Sequence, residues 1–203
     1  MKKNLISTLV AASLLIASAI VAVSGRPAAG DIPEPPAIGA TIADFTLPDA
    51  SGKEHSLASL AGKNGTVLIF MAVQCPVSNA YNERMEKLAQ EYKAKGINVI
   101  GINSNVAESA EAVKAHAAEK NLTFMILKDA GNKIADRLGA TVTPEAYFID
   151  ASNKLLYHGR IDNARNEAQV ETSDLRVALD SALAGKPIAK TTANAFGCTI
   201  KRG

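Results

Sequence analysis

The sequence predicts an α/β domain with a mixed central sheet. Strand-like apolar segments alternate with helical ones through the middle of the chain, an order typical of parallel strands joined by helical crossovers. Near the end, two apolar segments flank the polar turn 151–154, which favours an antiparallel pair. A chain of 203 residues is long enough to bury a sizeable core. We therefore expect one domain whose central mixed sheet is flanked by helices.

The predicted elements follow the order strand, helix, strand, helix, strand, helix, hairpin, helix, with a further hairpin in front of them. The front hairpin combines the alternating segment 43–47, a turn at 49–52 and a return segment at 53–60. The later strands are apolar and partly β-branched, whereas the helices are rich in strong helix formers. We predict strands at 66–71, 97–102 and 124–127, helices from 76 onward and at 107–120, 133–138 and 173–184, and hairpin arms at 146–150 and 155–159.

The N-terminal segment 1–24 has the composition of a signal peptide or a membrane anchor. Two lysines precede a long apolar stretch, and small residues follow it. An apolar stretch of about 20 residues can also span a bilayer, so cleavage and anchoring both stay open. Residues 25–39 are rich in proline, glycine and alanine, as linkers are. The domain is predicted at 40–185 and an irregular tail at 186–203, in a protein that is periplasmic, secreted or anchored in the inner membrane.

The charge balance gives no indication of a nucleic-acid partner. The chain has 22 basic and 20 acidic residues, and segment 1–24 holds two lysines and no acid, so the remainder has 20 of each. A neutral protein with five phenylalanines, four tyrosines and no tryptophan lacks the basic, aromatic surface that binds DNA or RNA. Anionic lipid is equally unsupported as a partner. Membrane contact is expected only through segment 1–24, if that segment is retained.

Cys75 is the most informative single residue, because it lies where a predicted strand meets a predicted helix. The residue after it, Pro76, suits the first helical position. Cys75 would then be the N-cap, where free backbone N–H groups and the helix dipole favour a thiolate over a thiol. Such a sulfur is nucleophilic near neutral pH. The alternative is a small buried hydrophobic residue, which free cysteines often are.

Cys198, in the tail, is the second of two cysteines in the chain. In an oxidising compartment the pair could form a disulfide, whose long loop would be worth about 4 to 5 kcal/mol in the chain-entropy treatment. Three interpretations stay open: catalytic exchange with Cys75, a static bridge, or an unpaired thiol. Bridging requires Cα atoms within about 7 Å of each other, and Gly197 would help the tail approach closely.

Several short runs between residues 38 and 160, and one in the tail, carry a family resemblance. These are Phe45-Thr46-Leu47-Pro48-Asp49, Gly52-Lys53, Leu57, Leu60, Gly62-Lys63, Val67-Leu68-Ile69-Phe70, Cys75-Pro76 and Ala195-Phe196-Gly197-Cys198-Thr199-Ile200-Lys201. In these runs the chain resembles the redoxins, a group that includes the alkyl hydroperoxide reductase and thiol-specific antioxidant family. The tail is similar to that of a peroxiredoxin-like subgroup ending in Gly-Cys-x-Ile-Lys. The resemblance implies a thioredoxin-like fold with an N-terminal hairpin extension.

The resemblance also implies roles for four residues around the nucleophile. Thioredoxins carry a second cysteine at the position of Ser78, so the local resolving thiol is missing here. The Ser78 hydroxyl could hydrogen-bond the thiolate, or the serine could simply suit the first helical turn. Pro144 matches the family's cis-proline, and the backbone of Thr143 beside it, with Pro76, is expected to bind an extended substrate. An ordinary trans turn proline is the alternative.

Two positions argue against efficient peroxide chemistry. Peroxiredoxins place a threonine three residues before the cysteine and an arginine nearby, to polarise the O–O bond. By resemblance, Ala72 occupies the threonine position and Pro144 the arginine position. Losing a preorganised donor typically costs about 100-fold or more in rate. Slow reaction of an accessible thiolate with peroxide stays possible.

The function predicted first is therefore an exported thiol–disulfide oxidoreductase. Cys75 would attack a disulfide in a protein or a small molecule, and Cys198 or an external reductant thiol would release the mixed disulfide. A peroxiredoxin-like peroxidase and a non-enzymatic binding module are the alternatives. No cofactor or metal is predicted, because His55, His116 and His158 do not lie at ligand spacing from a cysteine. His116, on an alanine-rich helix, is expected to be exposed.

Overall fold

The structure, a computed structural model, describes residues 33–203, and the predicted signal segment and the first part of the predicted linker lie outside the described residues. The strands are β1 Thr46–Pro48, β2 Glu54–Ser56, β3 Gly65–Phe70, β4 Ile97–Asn103, β5 Met125–Lys128, β6 Val142–Thr143, β7 Glu145–Ile149, β8 Leu155–Gly159, β9 Thr192–Ala193 and β10 Cys198–Thr199. The helices are α1 Leu57–Leu60, α2 Pro76–Ala80, α3 Asn82–Ala94, α4 Ala110–Glu119, α5 Lys133–Leu138 and α6 Asp174–Leu183, with a short 3-10 turn at Glu167–Gln169.

The main sheet has six strands in the order β5-β4-β3-β7-β8-β9. Strand β3 lies at its centre, parallel to β4 and antiparallel to β7, and is buried along its whole length. Val67 and Ile69 pack on one face with residues of α3, α4 and α6, whereas Leu68 and Phe70 pack on the other with residues of α1 and α5. Because both faces are covered, β3 needs a continuous apolar run. The predicted mixed sheet flanked by helices is confirmed.

The predicted front hairpin is also confirmed, as β1 pairs antiparallel with β2. Its turn is held by Asp49, whose Oδ1 accepts hydrogen bonds from the Ser51 and Lys53 amides at 2.7 and 3.1 Å. The hairpin leads into α1, whose N-cap Ser56 accepts a hydrogen bond from the Ser59 amide at 3.0 Å.

The helix predicted after Cys75 is divided in two at Tyr81. The Tyr81 amide donates to the Ser78 carbonyl, three residues back, at 3.0 Å, so the regular four-residue pattern is interrupted there. The side chain of Asn79 donates to the Val73 carbonyl at 2.9 Å, which ties the first segment to the preceding loop. Short polar residues that bond to nearby backbone weaken a helix in this way. The result is a short α2 that serves the site and a long α3 that serves the core.

The expected exposure of His116 is wrong. His116 is only 6% exposed, and its Nε2 lies 3.1 Å from Asn82 Nδ2 at the start of α3. Asn82 at the start of α3 gives the imidazole a polar partner, which allows His116 to be buried although it lies on an alanine-rich helix. Burial lowers the pKa of His116, with a smaller contribution from Lys120.

The tail, which the sequence predicts to be irregular, contains two short strands. β9 joins the main sheet parallel to β8, with Thr192 opposite His158, and β10 pairs antiparallel with β6. Neither strand has an alternating apolar pattern that would predict it from the sequence. Each forms only because the folded domain presents a strand edge with which it can pair. Among residues 33–203, no helix combines the length and apolarity needed to cross a bilayer.

Candidate active site

Cys75 lies at the N-terminus of α2, after the loop that follows the central strand β3. Its extended backbone makes it the N-cap, and its Sγ accepts a hydrogen bond from the Ser78 amide at 3.2 Å. Pro76 occupies the first helical turn, where its missing N–H costs no hydrogen bond. Cys75 is only 3% exposed. The sulfur therefore receives a helix-terminal N–H group in a largely enclosed position.

The loop 141–144, called here the Pro144 loop, lies against this sulfur. The Thr143–Pro144 peptide bond is cis, as the resemblance implies. The Cys75 thiol donates to the Thr143 carbonyl over 3.4 Å. Thr143 is 2% exposed, so its backbone is not open to solvent. The structure thus brings Cys75, Pro76, Thr143 and Pro144 to one place.

Cys198 is brought to the same place by the tail. Strand β10 sets Cys198 directly opposite Thr143, and the Thr143 hydroxyl donates to the Cys198 carbonyl at 3.5 Å. Gly197 makes this approach possible, since a Cβ there would lie 1.9 Å from the Thr143 carbonyl oxygen. Both cysteines are free thiols, with Cys75 buried and Cys198 partly exposed.

The two thiols have opposite pKa shifts. Burial alone would raise the pKa of Cys75, but hydrogen bonds from Cys198 and the Ser78 amide outweigh it and lower the pKa overall. The hydrogen bond to Cys75, together with burial, raises the pKa of Cys198. Of the two thiols, Cys75 is therefore the more readily ionised.

The contact predicted for the Ser78 hydroxyl is not the one observed. The group that reaches the Cys75 sulfur is the Ser78 backbone amide, whereas Ser78 Oγ accepts a hydrogen bond from the Ala72 amide at 3.1 Å. The physical reason is the N-cap geometry, which directs the N–H of the third helical residue at the cap side chain. Ser78 is fully buried, and its hydroxyl fastens the loop before Cys75 to the helix after it.

A buried glutamate that sequence reasoning did not single out holds the same loop. Glu108 is 2% exposed, and its two oxygens accept hydrogen bonds from the Val73 and Gln74 amides at 2.9 and 2.8 Å. The side-chain amides of Asn103 and Asn105 donate to it as well, at 2.5 and 3.1 Å. Burial would raise the pKa of Glu108, but these four donors together lower it. Its signal in the sequence is weak, since a glutamate before a charged helix usually faces water.

A second buried carboxylate, Glu145, supports the Pro144 loop from the other side. One oxygen accepts hydrogen bonds from the Thr141 and Val142 amides at 2.8 and 3.1 Å. The other lies 2.5 Å from His158 Nε2. The His158 ring stacks on Tyr147, with centroids 4.4 Å apart. Glu145 directly follows the cis-proline, so this cluster fixes the loop on which Cys75 and Cys198 both pack.

The surroundings of Cys75 also bear on peroxide and metal chemistry. Ala72, at the position of the peroxiredoxin threonine, is completely buried and offers no hydroxyl. Pro144, at the arginine position, offers no charge. Within residues 33–203, no three His, Cys, Asp or Glu side chains converge as ligands of a metal ion would.

The fold and this site define a class: the protein is an oxidoreductase of redoxin type, with a helix-cap cysteine facing a cis-proline in a thioredoxin-like fold. Within this class, the family can also be named. Residues 38–158, more than half of the chain, match the AhpC/TSA family, and the chain belongs to that family.

Named relatives include enzymes of two kinds. Thiol-disulfide oxidoreductase ResA of Geobacillus thermodenitrificans is 30% identical over 119 residues, covering 59% of this chain and 67% of that protein. The chloroplastic peroxiredoxin Q of Sedum lineare is 29% identical over 131 residues, covering 60% and 69%. A crystal structure of a hypothetical protein from Sinorhizobium meliloti 1021 has 34% identity and a TM-score of 0.76, covering 82% of this chain and 95% of its own.

Proposed function

We propose that this protein is an exported thiol–disulfide oxidoreductase with Cys75 as its nucleophile and Cys198 as its resolving thiol. The observation that carries the proposal is the pairing of β10 with the Pro144 loop, which sets Cys198 opposite Thr143 while Thr143 contacts Cys75. The similarity to thiol-disulfide oxidoreductase ResA supports the reaction class. The composition of segment 1–24 supports export to the periplasm or beyond, with or without an inner-membrane anchor.

The reaction proceeds in two exchanges. The Cys75 thiolate attacks one sulfur of a substrate disulfide, which forms a mixed disulfide and expels the other substrate sulfur as a thiolate. Cys198 then gives up its proton, and its sulfur attacks Cys75 Sγ. This second exchange forms a Cys75–Cys198 disulfide and expels the remaining substrate thiolate. The substrate gains two electrons and the protein loses two, which an external thiol reductant restores.

The environment of each sulfur suits its step. The pKa of Cys75 is lowered because hydrogen bonds from Cys198 and the Ser78 amide outweigh the effect of burial, so the attacking sulfur is more readily ionised than an ordinary thiol. The raised pKa of Cys198 keeps that thiol protonated until the first exchange removes the charge on Cys75. Attack in the reverse order is disfavoured, because thiolates and not thiols carry out exchange.

A peroxiredoxin-like peroxidase is the second candidate. The similarity to peroxiredoxin Q favours it, as does the near-complete enclosure of Cys75, which a small hydroperoxide can enter more easily than a polypeptide. In that reaction Cys75 would become a sulfenic acid, and Cys198 would condense with it to release water. The absence of a hydroxyl at Ala72 predicts slow turnover, because no preorganised donor polarises the O–O bond.

The test is a stoichiometric reaction of the reduced protein with a low-molecular-weight disulfide, followed by acid trapping and mass spectrometry. The wild-type protein should form an internal Cys75–Cys198 disulfide. Cys198→Ser should stop at a mixed disulfide on Cys75, and Cys75→Ser should form neither product.

Two results would refute the proposal. One is a Cys75→Ser variant that is oxidised as fast as the wild type. The other is a wild-type protein that consumes hydrogen peroxide rapidly and ignores disulfides, which would establish the peroxidase instead.

A further inference from the structure

The tail crosses the active site as a strap that is fastened on both sides of Cys198. We call residues 191–202 the C-terminal strap. On the N-terminal side of Cys198, β9 extends the main sheet. The His158 amide donates to the Thr191 carbonyl at 3.0 Å, and the Arg160 amide donates to the Ala193 carbonyl at 3.2 Å. Phe196 then packs edge-on against Tyr81, with ring centroids 6.3 Å apart.

The part of the strap that follows Cys198 is held by a buried side chain, backbone hydrogen bonds and an ion pair. Ile200 is 3% exposed and packs in the core on the sheet face that α1 and α5 cover, and its amide donates to the Thr141 carbonyl at 2.9 Å. The Lys201 amide donates to Asn105 Oδ1 at 2.7 Å. Arg202 forms an ion pair with Asp136 at 2.8 Å. A segment anchored at both ends cannot swing away as a free tail would.

Between its anchors, the strap takes the place that an extended peptide would need. Strand β10 pairs antiparallel with β6, so Cys198 and Thr199 lie opposite Thr143 and Val142. A polypeptide that bound in extended form beside Cys75 would pair with this same backbone. Gly197 lies so close to the Thr143 carbonyl that no Cβ fits between them. No second strand can be added while the strap is in place.

We infer that the C-terminal strap excludes polypeptide disulfides and restricts this enzyme to low-molecular-weight disulfides. This inference rests on the proposed function and names its substrate class. A small disulfide needs contact only with the Cys75 sulfur, and each half of it leaves as a thiol in the two exchanges already described. Because Cys198 is part of the strap, the resolving thiol and the element that selects substrate size are the same segment.

Two probes with a common leaving group separate access from chemical reactivity. Each is a mixed disulfide with 2-thiopyridine: in one the partner thiol is 2-hydroxyethanethiol, and in the other it is the single cysteine of a short unstructured peptide. Attack by Cys75 releases 2-thiopyridone from both, which absorbance records, while the other thiol stays bound to Cys75 until Cys198 displaces it. The ratio of the two second-order rate constants, small probe over peptide probe, measures the selection.

Gly197→Ala is the variant that opens the strap, because its new Cβ would lie 1.9 Å from the Thr143 carbonyl oxygen, and Gly197 itself is exposed. The matched control is Gly203→Ala, whose Cβ would make only an ordinary contact with Val106 at 3.7 Å. Ile200→Ala, which removes the buried anchor, tests the same point if Gly197→Ala does not fold. Circular dichroism establishes folding for each variant.

The wild type should prefer the small probe by about tenfold or more, since the peptide must first break several hydrogen bonds of the strap. Gly197→Ala should reduce this preference by accelerating the peptide probe, and Gly203→Ala should leave it unchanged. Equal rates for both probes with the wild type, or an unchanged ratio in folded Gly197→Ala and Ile200→Ala, would overturn the inference. Undiminished release by Cys75→Ser would instead overturn the proposed nucleophile, so the two failures are distinguishable.

Discussion

Replacing Glu108 by glutamine should destabilise the protein although the side chain keeps its shape. The two carboxylate oxygens of Glu108 accept four hydrogen bonds, two from backbone amides and two from asparagine side chains. Glutamine offers one oxygen and one NH₂ group, so two of the four donors would face another donor. A buried donor left without a partner costs about 1 to 3 kcal/mol, which gives a loss of about 2 to 6 kcal/mol in the free energy of unfolding.

The neighbouring asparagines cannot relieve this loss by rotating their amides. Asn103 Oδ1 accepts a hydrogen bond from Lys128 at 2.8 Å, and Asn105 Oδ1 accepts one from the Lys201 amide at 2.7 Å. Either rotation would break one of these bonds. The loss should therefore appear at nearly full size, and it should loosen the loop before Cys75 as well as the second anchor of the strap.

Urea denaturation of Glu108→Gln measures the loss, with Glu111→Gln as the matched control. Glu111 lies on the exposed side of the first turn of α4, so the same substitution there should change the free energy of unfolding by less than about 1 kcal/mol. The loss of stability in Glu108→Gln relative to the wild type should also depend on pH. The pKa of Glu108 is lowered in the folded protein, so its contribution is fully present above the ordinary value of 4.5 and is lost as the pH falls below it. Equal stability of the two variants at pH 7 would refute the reasoning.

Two further predictions concern the thiols and a buried ion pair. Cys198→Ala should raise the pKa of Cys75, because the largest contribution that lowers it is the hydrogen bond from Cys198; the pH dependence of Cys75 alkylation by iodoacetamide measures the shift. Arg84→Ala should cost about 3 to 5 kcal/mol in urea denaturation, because it leaves the buried Asp162 carboxylate without its partner at 2.7 Å. Lys87→Ala, on the exposed face of the same helix, should cost less than about 1 kcal/mol.

Each of these two predictions has a result that would contradict it. An alkylation midpoint of Cys75 that does not move in Cys198→Ala would mean that the two thiols do not interact in solution. Losses of similar size in Arg84→Ala and Lys87→Ala would mean that the buried pair contributes no more than an exposed one.

The local features of the fold could be predicted from the sequence, because their signals lie within a few residues. The run 66–71 is apolar on both faces, as a central strand must be, and Pro76 follows Cys75 where a helix begins. The helix Lys133–Leu138 ends at Gly139 in a left-handed conformation, with the bounds that the sequence predicts.

The features that could not be predicted depend on contacts between distant parts of the chain. Nothing near Cys198 indicates a strand, since β10 exists only because β6 presents an edge 55 residues earlier. Glu108 and His116 look like ordinary surface residues in a polar helix. They are buried in the folded protein because the loop after β3 contacts Glu108 and the start of α3 contacts His116, and the sequence around each residue indicates neither contact.

The site shows the same division between local and distant signals. The N-cap position of Cys75 follows from the order of residues around it, whereas the role of Ser78 depends on which of its two polar groups faces the sulfur. Residue type alone favours the hydroxyl. Helix geometry directs the amide there and leaves the hydroxyl to the loop at Ala72.

Strand β9 has a consequence for solubility. Where it pairs with β8, it occupies backbone groups on the outer margin of the main sheet, at His158 and Arg160. A chain cut after Gly185 would leave these backbone groups of β8 unpaired, and an unpaired edge strand can pair with strands of neighbouring molecules. The segment that crosses the thiols thus also protects the fold against self-association.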